Sequence, residues 1–200
     1  MSTAFAVTWD YRCPFARNAH EYVVAGLEAG ADWDVSFLPF CLTQTHVEEG
    51  ELDVWDDPGR TGDLLALASG VVVRDHYPAA FPRVHLALFA ARHDQGQDLR
   101  EEEVVRAVLA GEGLDPGPVL AEVAQGWPGD AVRKAHEAAV ADHQVFGVPT
   151  FVADGRAAFV RLTTRPDGDH RAARDTIDRV LALLEEVPEL NEFKHTAIGR

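Results

Sequence analysis

Apolar positions along the chain repeat with two different periods, and the points where the period changes divide it into three parts. Residues 4–10, Ala-Phe-Ala-Val-Thr-Trp-Asp, read as a short buried strand. From Pro14 the spacing turns helical: Phe15, Ala19, Tyr22, Val23 and Leu27 share one face, and Gly30 stands past the end as a stop. Trp33 to Phe40 reads as a second strand. A strand, a helix and a strand within ~40 residues make a right-handed parallel unit. The middle of the chain is helical throughout. Leu64, Leu65, Ala68, Val71 and Val72 form one stripe, and Phe81, Val84, Leu88 and Phe89 a second. Val104, Val105, Val108 and Leu109 form a third, and Val119, Leu120 and Val123 a fourth. Residues 129–143 make a last helix, and Pro78, Gly96, Pro116 and Pro128 punctuate the junctions. Thr150–Ala153 and Ala157–Val160 then flank Asp154-Gly155, a hairpin signal. A final helix carries Ile177, Val180, Leu181 and Leu184 and ends near Pro188, leaving residues 189–200 as a polar, extended tail.

The order β-α-β, helical block, β-β-α defines an α/β fold class. Because the terminal segments must meet to complete one sheet, the helical block is an insertion. The chain therefore divides into a core of residues 1–57 and 145–200 and an inserted helical subdomain, 58–144.

Charge narrows the partners. With 33 acidic against 18 basic residues and a net charge of −15, the chain is a poor ligand for nucleic acid or an anionic membrane, which require clustered Lys and Arg. A small local basic pocket stays compatible with that total. No run approaches the ~18 apolar residues of a membrane span. The first ten residues lack a basic leader, and their apolar stretch breaks at Asp10. Two cysteines, Cys13 and Cys41, imply no disulfide framework. These features set the expectation of a cytoplasmic protein.

Candidate chemistry concentrates at Cys13-Pro14-Phe15-Ala16, where the first strand hands over to the first helix. Proline suits a first helical turn because its missing N–H has no partner there. Cys13 is thus expected at a helix N-terminus, where unpaired N–H groups favour an anion and lower a thiol pKa. Arg12 and Arg17 add positive potential, and Asp10 opposes it if it faces the sulfur. The alternative is a small buried hydrophobe. A second motif, Phe146-Gly147-Val148-Pro149-Thr150-Phe151, puts a proline at the entrance of the third strand, the mark of an edge or an unusual turn.

Together the two motifs resemble the thioredoxin superfamily, in which Cys-Pro-x-x at the first helix faces a Val-Pro-Thr whose proline is cis. The 136 positions between Cys13 and Pro149 are too many for thioredoxin itself and match the DsbA-like branch, which carries a helical insertion there. Asp10 three residues before Cys13 is similar to the Asp-x-x-Cys-Pro of cytosolic members, including 2-hydroxychromene-2-carboxylate isomerases and kappa-class glutathione transferases. The resemblance covers about residues 4 to 186. It implies a thioredoxin fold with Cys13 as the reactive thiol and a cis Val148–Pro149 peptide in contact with it. Pro14, Phe15, Ala16, Val148, Pro149 and Thr150 would form the thiol-binding surface. Two departures stand out. Ala16 replaces the second cysteine of Cys-x-x-Cys, so no internal disulfide forms there. The Asp-Arg-Leu that holds glutathione in the isomerase and transferase members is replaced by Phe159-Val160-Arg161-Leu162-Thr163-Thr164-Arg165-Pro166.

Cys41 follows the second strand on the same sheet edge as Cys13, and reads as a buried structural thiol or a resolving one. His46 reads as a solvated loop histidine or part of the same rim. The acidic loop Glu48–Asp57 is either solvated or a lid whose Trp55 covers the site. Trp127 and Phe193 are expected to pack on the core or on a partner subunit, which leaves a homodimer open. His85, His136 and His143 read as core or interface histidines. His20, about two helical turns beyond Cys13 and ~10 Å away, is a poor base for it. No His-Glu-x-x-His or zinc-like cysteine spacing occurs, and no metal is expected.

The function these readings support is a monothiol oxidoreductase acting on small thiols or disulfides. It holds no tightly bound cofactor and is recycled by a low-molecular-weight thiol such as glutathione or mycothiol. One alternative is an isomerase- or transferase-like enzyme binding a thiol cofactor beside Cys13. The other is a peptide- or protein-binding module without catalysis.

Overall fold

In the computed structural model, which describes residues 2–196, four strands form one mixed sheet in the order β2-β1-β3-β4. Strand β1 (Thr3–Trp9) runs parallel to β2 (Trp33–Pro39) and antiparallel to β3 (Thr150–Ala153), which pairs antiparallel with β4 (Arg156–Phe159). Helix α1 (Pro14–Glu28) connects β1 to β2. Five helices then intervene before β3: α2 (Thr61–His76), α3 (Phe81–His93), α4 (Glu102–Gly111), α5 (Pro116–Val123) and α6 (Trp127–His143). Helix α7 (His170–Glu186) closes the fold.

Local chemistry accounts for the boundaries. The β3–β4 turn puts Asp154 at φ 48° and Gly155 at φ 72°, the two left-handed residues that a two-residue hairpin requires. Pairing continues past β4 through Val160 N–H, which donates to the Pro149 carbonyl (3.1 Å). The sequence pattern predicts that the last middle helix starts at residue 129. It begins at Trp127, because Pro128 sits in the first turn, where a helix needs no N–H, and so opens the helix instead of preceding it.

Two apolar clusters hold these elements. Phe5, Val7, Phe151 and Ala153 of the sheet pack against Ala19 and Val23 of α1 and Ile177 and Leu181 of α7. Beyond the carboxyl ends of β1 and β2, Trp9, Tyr11 and Phe40 join Val71, Val72, Leu88, Phe89, Leu109 and Val132 of the helical block. Cys13 belongs to this second cluster. The block thus shares a core with the sheet and comes down on the turn that carries the thiol.

Among the described residues no helix is long and apolar enough to cross a membrane. Trp127 packs on His76, at 5.2 Å between ring centroids. Phe193 does not join the core. It is 75% exposed and stacks edge-on with His195, since residues 190–196 have no regular structure to carry it inward. Residues 197–200, the end of the tail expected to be extended, lie outside the described residues.

Candidate active site

Asp10 shapes the turn that presents Cys13. Its carboxylate accepts the Arg12 N–H (2.9 Å) and the Leu42 N–H (2.8 Å), and its carbonyl accepts the Cys13 N–H (3.1 Å). The β1–α1 turn is thereby tied to the segment leaving β2. Cys13 then caps α1 in an extended conformation (φ −93°, ψ 117°), with Pro14 in the first turn. Its Sγ accepts from Ala16 N–H at 3.4 Å and donates to the Val148 carbonyl at 3.2 Å.

The second contact comes from the loop before β3, in which the Val148–Pro149 peptide is cis. Thr150 fixes that loop twice: its N–H donates to Thr8 Oγ1 on β1 (2.8 Å) and its hydroxyl to the Gly147 carbonyl (2.8 Å). Of the sequence-selected residues, Cys13, Pro14, Phe15, Ala16, Val148, Pro149 and Thr150 are therefore assembled at one place by β1, α1 and β3.

The ionisation expected of Cys13 is overturned. The helix N-terminus is present, and the backbone N–H groups of Ala16 and Phe15 do favour the thiolate. Burial outweighs them, since the residue is 9% exposed, and raises the thiol pKa above its ordinary value. Asp10 pushes the same way. The bond to Val148 has the same sense, because a thiol must keep its proton to donate to a carbonyl, and ionisation would set a carbonyl oxygen against a sulfur anion. Cys13 is thus a thiol at neutral pH. Cys41 is more deeply buried, and burial followed by Asp10 lifts its pKa to about 11. Alkylation of the native protein by iodoacetamide is expected to mark Cys13 alone, with a rate still climbing above the free-thiol value of ~8.5. Peptide mass analysis across pH 6–10 checks both points. A plateau reached below pH 7, or labelling of Cys41 first, would contradict the buried-thiol account.

The cations expected to assist are committed elsewhere. Arg12 reaches Thr43 Oγ1 and the Asp63 carboxylate (2.5 Å), and Arg17 pairs with Asp94 at 2.6 Å. Arg161 is the cation whose charge favours the Cys13 thiolate. Its guanidinium lies 5.3 Å from the ring centroid of Phe15 and 5.9 Å from that of Phe159. The sequence signal was its place just after the hairpin, in the stretch singled out for lacking Asp-Arg-Leu. Asn18 holds that stretch against α1 by donating to the Leu162 carbonyl at 2.8 Å.

The remaining candidates make no hydrogen bond to the sulfur. Cys41 is a free, fully buried thiol in the same apolar cluster as Cys13, with no hydrogen bond to it. His46 is exposed, its Nδ1 turned to the Leu42 carbonyl (2.8 Å). Trp55 is carried by the acidic loop to α6, with His136 at 5.5 Å and the Arg133 guanidinium over its ring at 5.5 Å. Apolar packing on the helical block, which the sequence pattern did not connect with this loop, holds the tryptophan there. Among the described residues no group of three or more His, Cys, Asp or Glu is placed to hold a metal ion. A cavity of about 250 Å³ beside the turn is lined by charged groups largely paired with one another, Arg12 with Asp63 and Arg100 with Asp98.

Under the turn runs a buried polar chain. Tyr11 Oη lies 2.9 Å from His85 Nδ1, His85 Nε2 lies 2.9 Å from His20 Nδ1, and His20 Nε2 lies 3.1 Å from the Thr8 carbonyl. All three side chains are at most 1% exposed.

Comparison with known proteins identifies relatives of the chain and of its fold. Residues 7–167 match the family model described as a DSBA-like thioredoxin domain. The thiol:disulfide interchange protein DsbA of Azotobacter vinelandii is 35% identical over 78 residues, 39% of this chain and 36% of that protein. The matched stretch thus spans about a third of that relative's length. Among solved structures, MdbA, a thiol-disulfide oxidoreductase from Actinomyces oris, superposes with a TM-score of 0.61 at 18% identity, covering 87% of this chain and 80% of its own. A 2-hydroxychromene-2-carboxylate isomerase superposes with a TM-score of 0.62 at 12% identity, covering 94% of this chain and 100% of its own. At these identities both likenesses concern the fold.

Proposed function

The chain belongs to the DSBA-like thioredoxin family, whose members include thiol oxidoreductases, and on that premise we propose that it exchanges thiols and disulfides through Cys13 acting alone. The observation that carries this reading is the single sulfur held between the α1 N-terminus and the Val148 carbonyl, with alanine one helical turn on. On deprotonation the Cys13 sulfur attacks one sulfur of a small disulfide. A bond forms between them, the disulfide bond breaks, and the second sulfur leaves as a thiolate with the electron pair. Nothing at position 16 resolves the mixed disulfide. Two molecules of a low-molecular-weight thiol of the glutathione or mycothiol type do so: the first attacks the mixed disulfide and expels the substrate half as its thiolate, and the second attacks the resulting Cys13 adduct, expelling the Cys13 thiolate and leaving the small thiol's own disulfide. Such recycling requires a reducing compartment, which fits a cytoplasmic location.

A second reading has one observation in its favour. Cys13 stays protonated and donates a hydrogen bond to a carbonyl, and the same S–H offered to the sulfur of a bound thiol cofactor would serve a transferase or isomerase without a covalent step. Incubation with a panel of small-molecule disulfides, followed by intact mass, separates the two. The exchange reading expects one adduct per chain, absent in Cys13→Ser and removed by excess thiol. Cofactor binding with no adduct at any pH up to 10 would transfer the assignment to the second reading.

A further inference from the structure

Arg161 differs from most of the arginines around the site. Arg12, Arg17, Arg60 and Arg165 each have a carboxylate within 4 Å. Arg161 forms no ion pair among the described residues and stands exposed on the rim. The tail acid Glu192 feels its charge but is ion-paired with Lys194. Arg161 rests on rings instead, over Phe15 two residues from Cys13 and over Phe159 on β4. Phe159 in turn meets Phe146 of the loop before Pro149, at 5.2 Å between centroids. Phe146 is 71% exposed and Phe159 37%, an uncovered aromatic surface ending at a guanidinium. A guanidinium held against rings with no carboxylate partner has N–H groups to offer, and these match a planar carboxylate with two parallel hydrogen bonds. In a chain of net charge −15, an exposed cation left without a carboxylate at the reactive thiol is the complement of an anionic ligand.

Resting on the exchange reading of Cys13, we propose that Arg161, Phe159 and Phe146 form a subsite for aryl thiols and aryl disulfides that carry a carboxylate. The ring lies on the phenylalanines, the carboxylate meets Arg161, and the substrate sulfur is delivered to Cys13. The bond changes are those of the exchange itself: Cys13–S forms, the aryl disulfide bond breaks, and the departing aryl thiolate takes the electron pair. The disulfide is the two-electron oxidant.

The test compares the rate of the Cys13 adduct, by mass, with 5,5′-dithiobis(2-nitrobenzoate), which is anionic, and 4,4′-dithiodipyridine, which is neutral. Both are run in the parent, Arg161→Gln and Arg161→Lys, each confirmed folded by circular dichroism. Arg161→Gln should slow the anionic reagent at least ~10-fold more than the neutral one, the size of a lost charge-assisted contact. Arg161→Lys should keep part of that preference, and added salt should erode it in the parent because the group is exposed. Equal slowing of both reagents would mean that Arg161 acts only on the ionisation of Cys13, and would overturn the subsite, as would no slowing at all. If neither reagent modifies the parent, the exchange reading fails by itself, and the subsite is judged without the thiol. Titration of 4-nitrobenzoate against 4-nitrobenzamide, followed by NMR, should then show a carboxylate preference that Arg161→Gln removes. Equal binding of the two ligands, or a preference unchanged in the variant, would overturn it.

Discussion

With cysteine in place of Ala16, the protein is expected to complete the exchange at which the parent stops. Ala16 is fully buried, and its N–H already points at the Cys13 sulfur from 3.4 Å, so a side chain there starts one helical turn from the thiol it must reach. The change adds one heavy atom, and overpacking of a core by about that much costs ~1–3 kcal/mol, which a domain of ordinary stability survives. In the parent, the mixed disulfide waits for an external thiol. In Ala16→Cys, the new thiolate attacks the Cys13 sulfur, the substrate half leaves with the electron pair, and a 13–16 disulfide remains. Intramolecular attack of this kind proceeds at an effective thiol concentration far above that of any small thiol in the assay. With dithiothreitol to reduce the 13–16 bond, a model disulfide should turn over many times per chain, while the parent, given substrate without an added thiol, should stop at one adduct. Non-reducing mass spectra and a redox titration read the outcome. A folded variant that never forms the internal bond would show that position 16 no longer has redox geometry, and would favour the cofactor-binding reading of Cys13.

The parts of this architecture set by local rules were legible in the sequence, and the parts set by long-range packing were not. Pro14 after Cys13 announces a helix start, and Asp154-Gly155 announces a hairpin, because each encodes backbone conformation within a few residues. The helical stripes follow from the 3.6-residue period alone, and the site residues at 13–16 and 148–150 follow from two short motifs. The protonation of Cys13 does not. It depends on the Val148 carbonyl 135 positions away and on cover from the helical block, neither of which leaves a mark beside Cys13. The same holds for the arginines. Sequence proximity favoured Arg12 and Arg17, but Asp63 and Asp94 claim them through tertiary pairing, and Arg161 reaches the site through the hairpin. The contact of Trp55 with His136 is long-range in the same way: nothing in an acidic loop announces which distant helix its one large ring will meet.

Acid should destabilise the fold sharply, and the buried chain beneath the site is a main cause. The Thr8 carbonyl only accepts, so the proton of His20 sits on Nε2 and its Nδ1 accepts from His85 Nε2–H. His85 Nδ1 then accepts from the Tyr11 hydroxyl, and each proton in the chain points the same way. No position is left for an added proton without breaking a hydrogen bond away from water. Burial therefore takes the His20 pKa down to about 4, and burial followed by repulsion from His20 takes that of His85 well below its ordinary value. A depressed imidazole is neutral in the native state where the unfolded chain, at ~6.5, is charged. The stability it contributes is therefore complete above ~6.5 and is lost as the pH falls towards the native value, because the unfolded state binds the proton first. For His20 the loss approaches ~3 kcal/mol near pH 4, and His85 adds to it. Asp10, whose pKa burial raises, has the opposite sign, but it is one carboxyl against these two imidazoles, and burial also depresses those of His93 and His136. Urea midpoints at intervals from pH 7.5 to 4.5 should fall steadily below pH 6.5. In His85→Leu, stability at pH 7.5 should be lower, because Tyr11 and His20 lose their partner, while the fall with pH becomes shallower by the share of one imidazole. A midpoint flat across this range, or an unchanged slope in His85→Leu, would mean that the chain accepts a proton at no cost. The one-way arrangement of its hydrogen bonds would then be wrong.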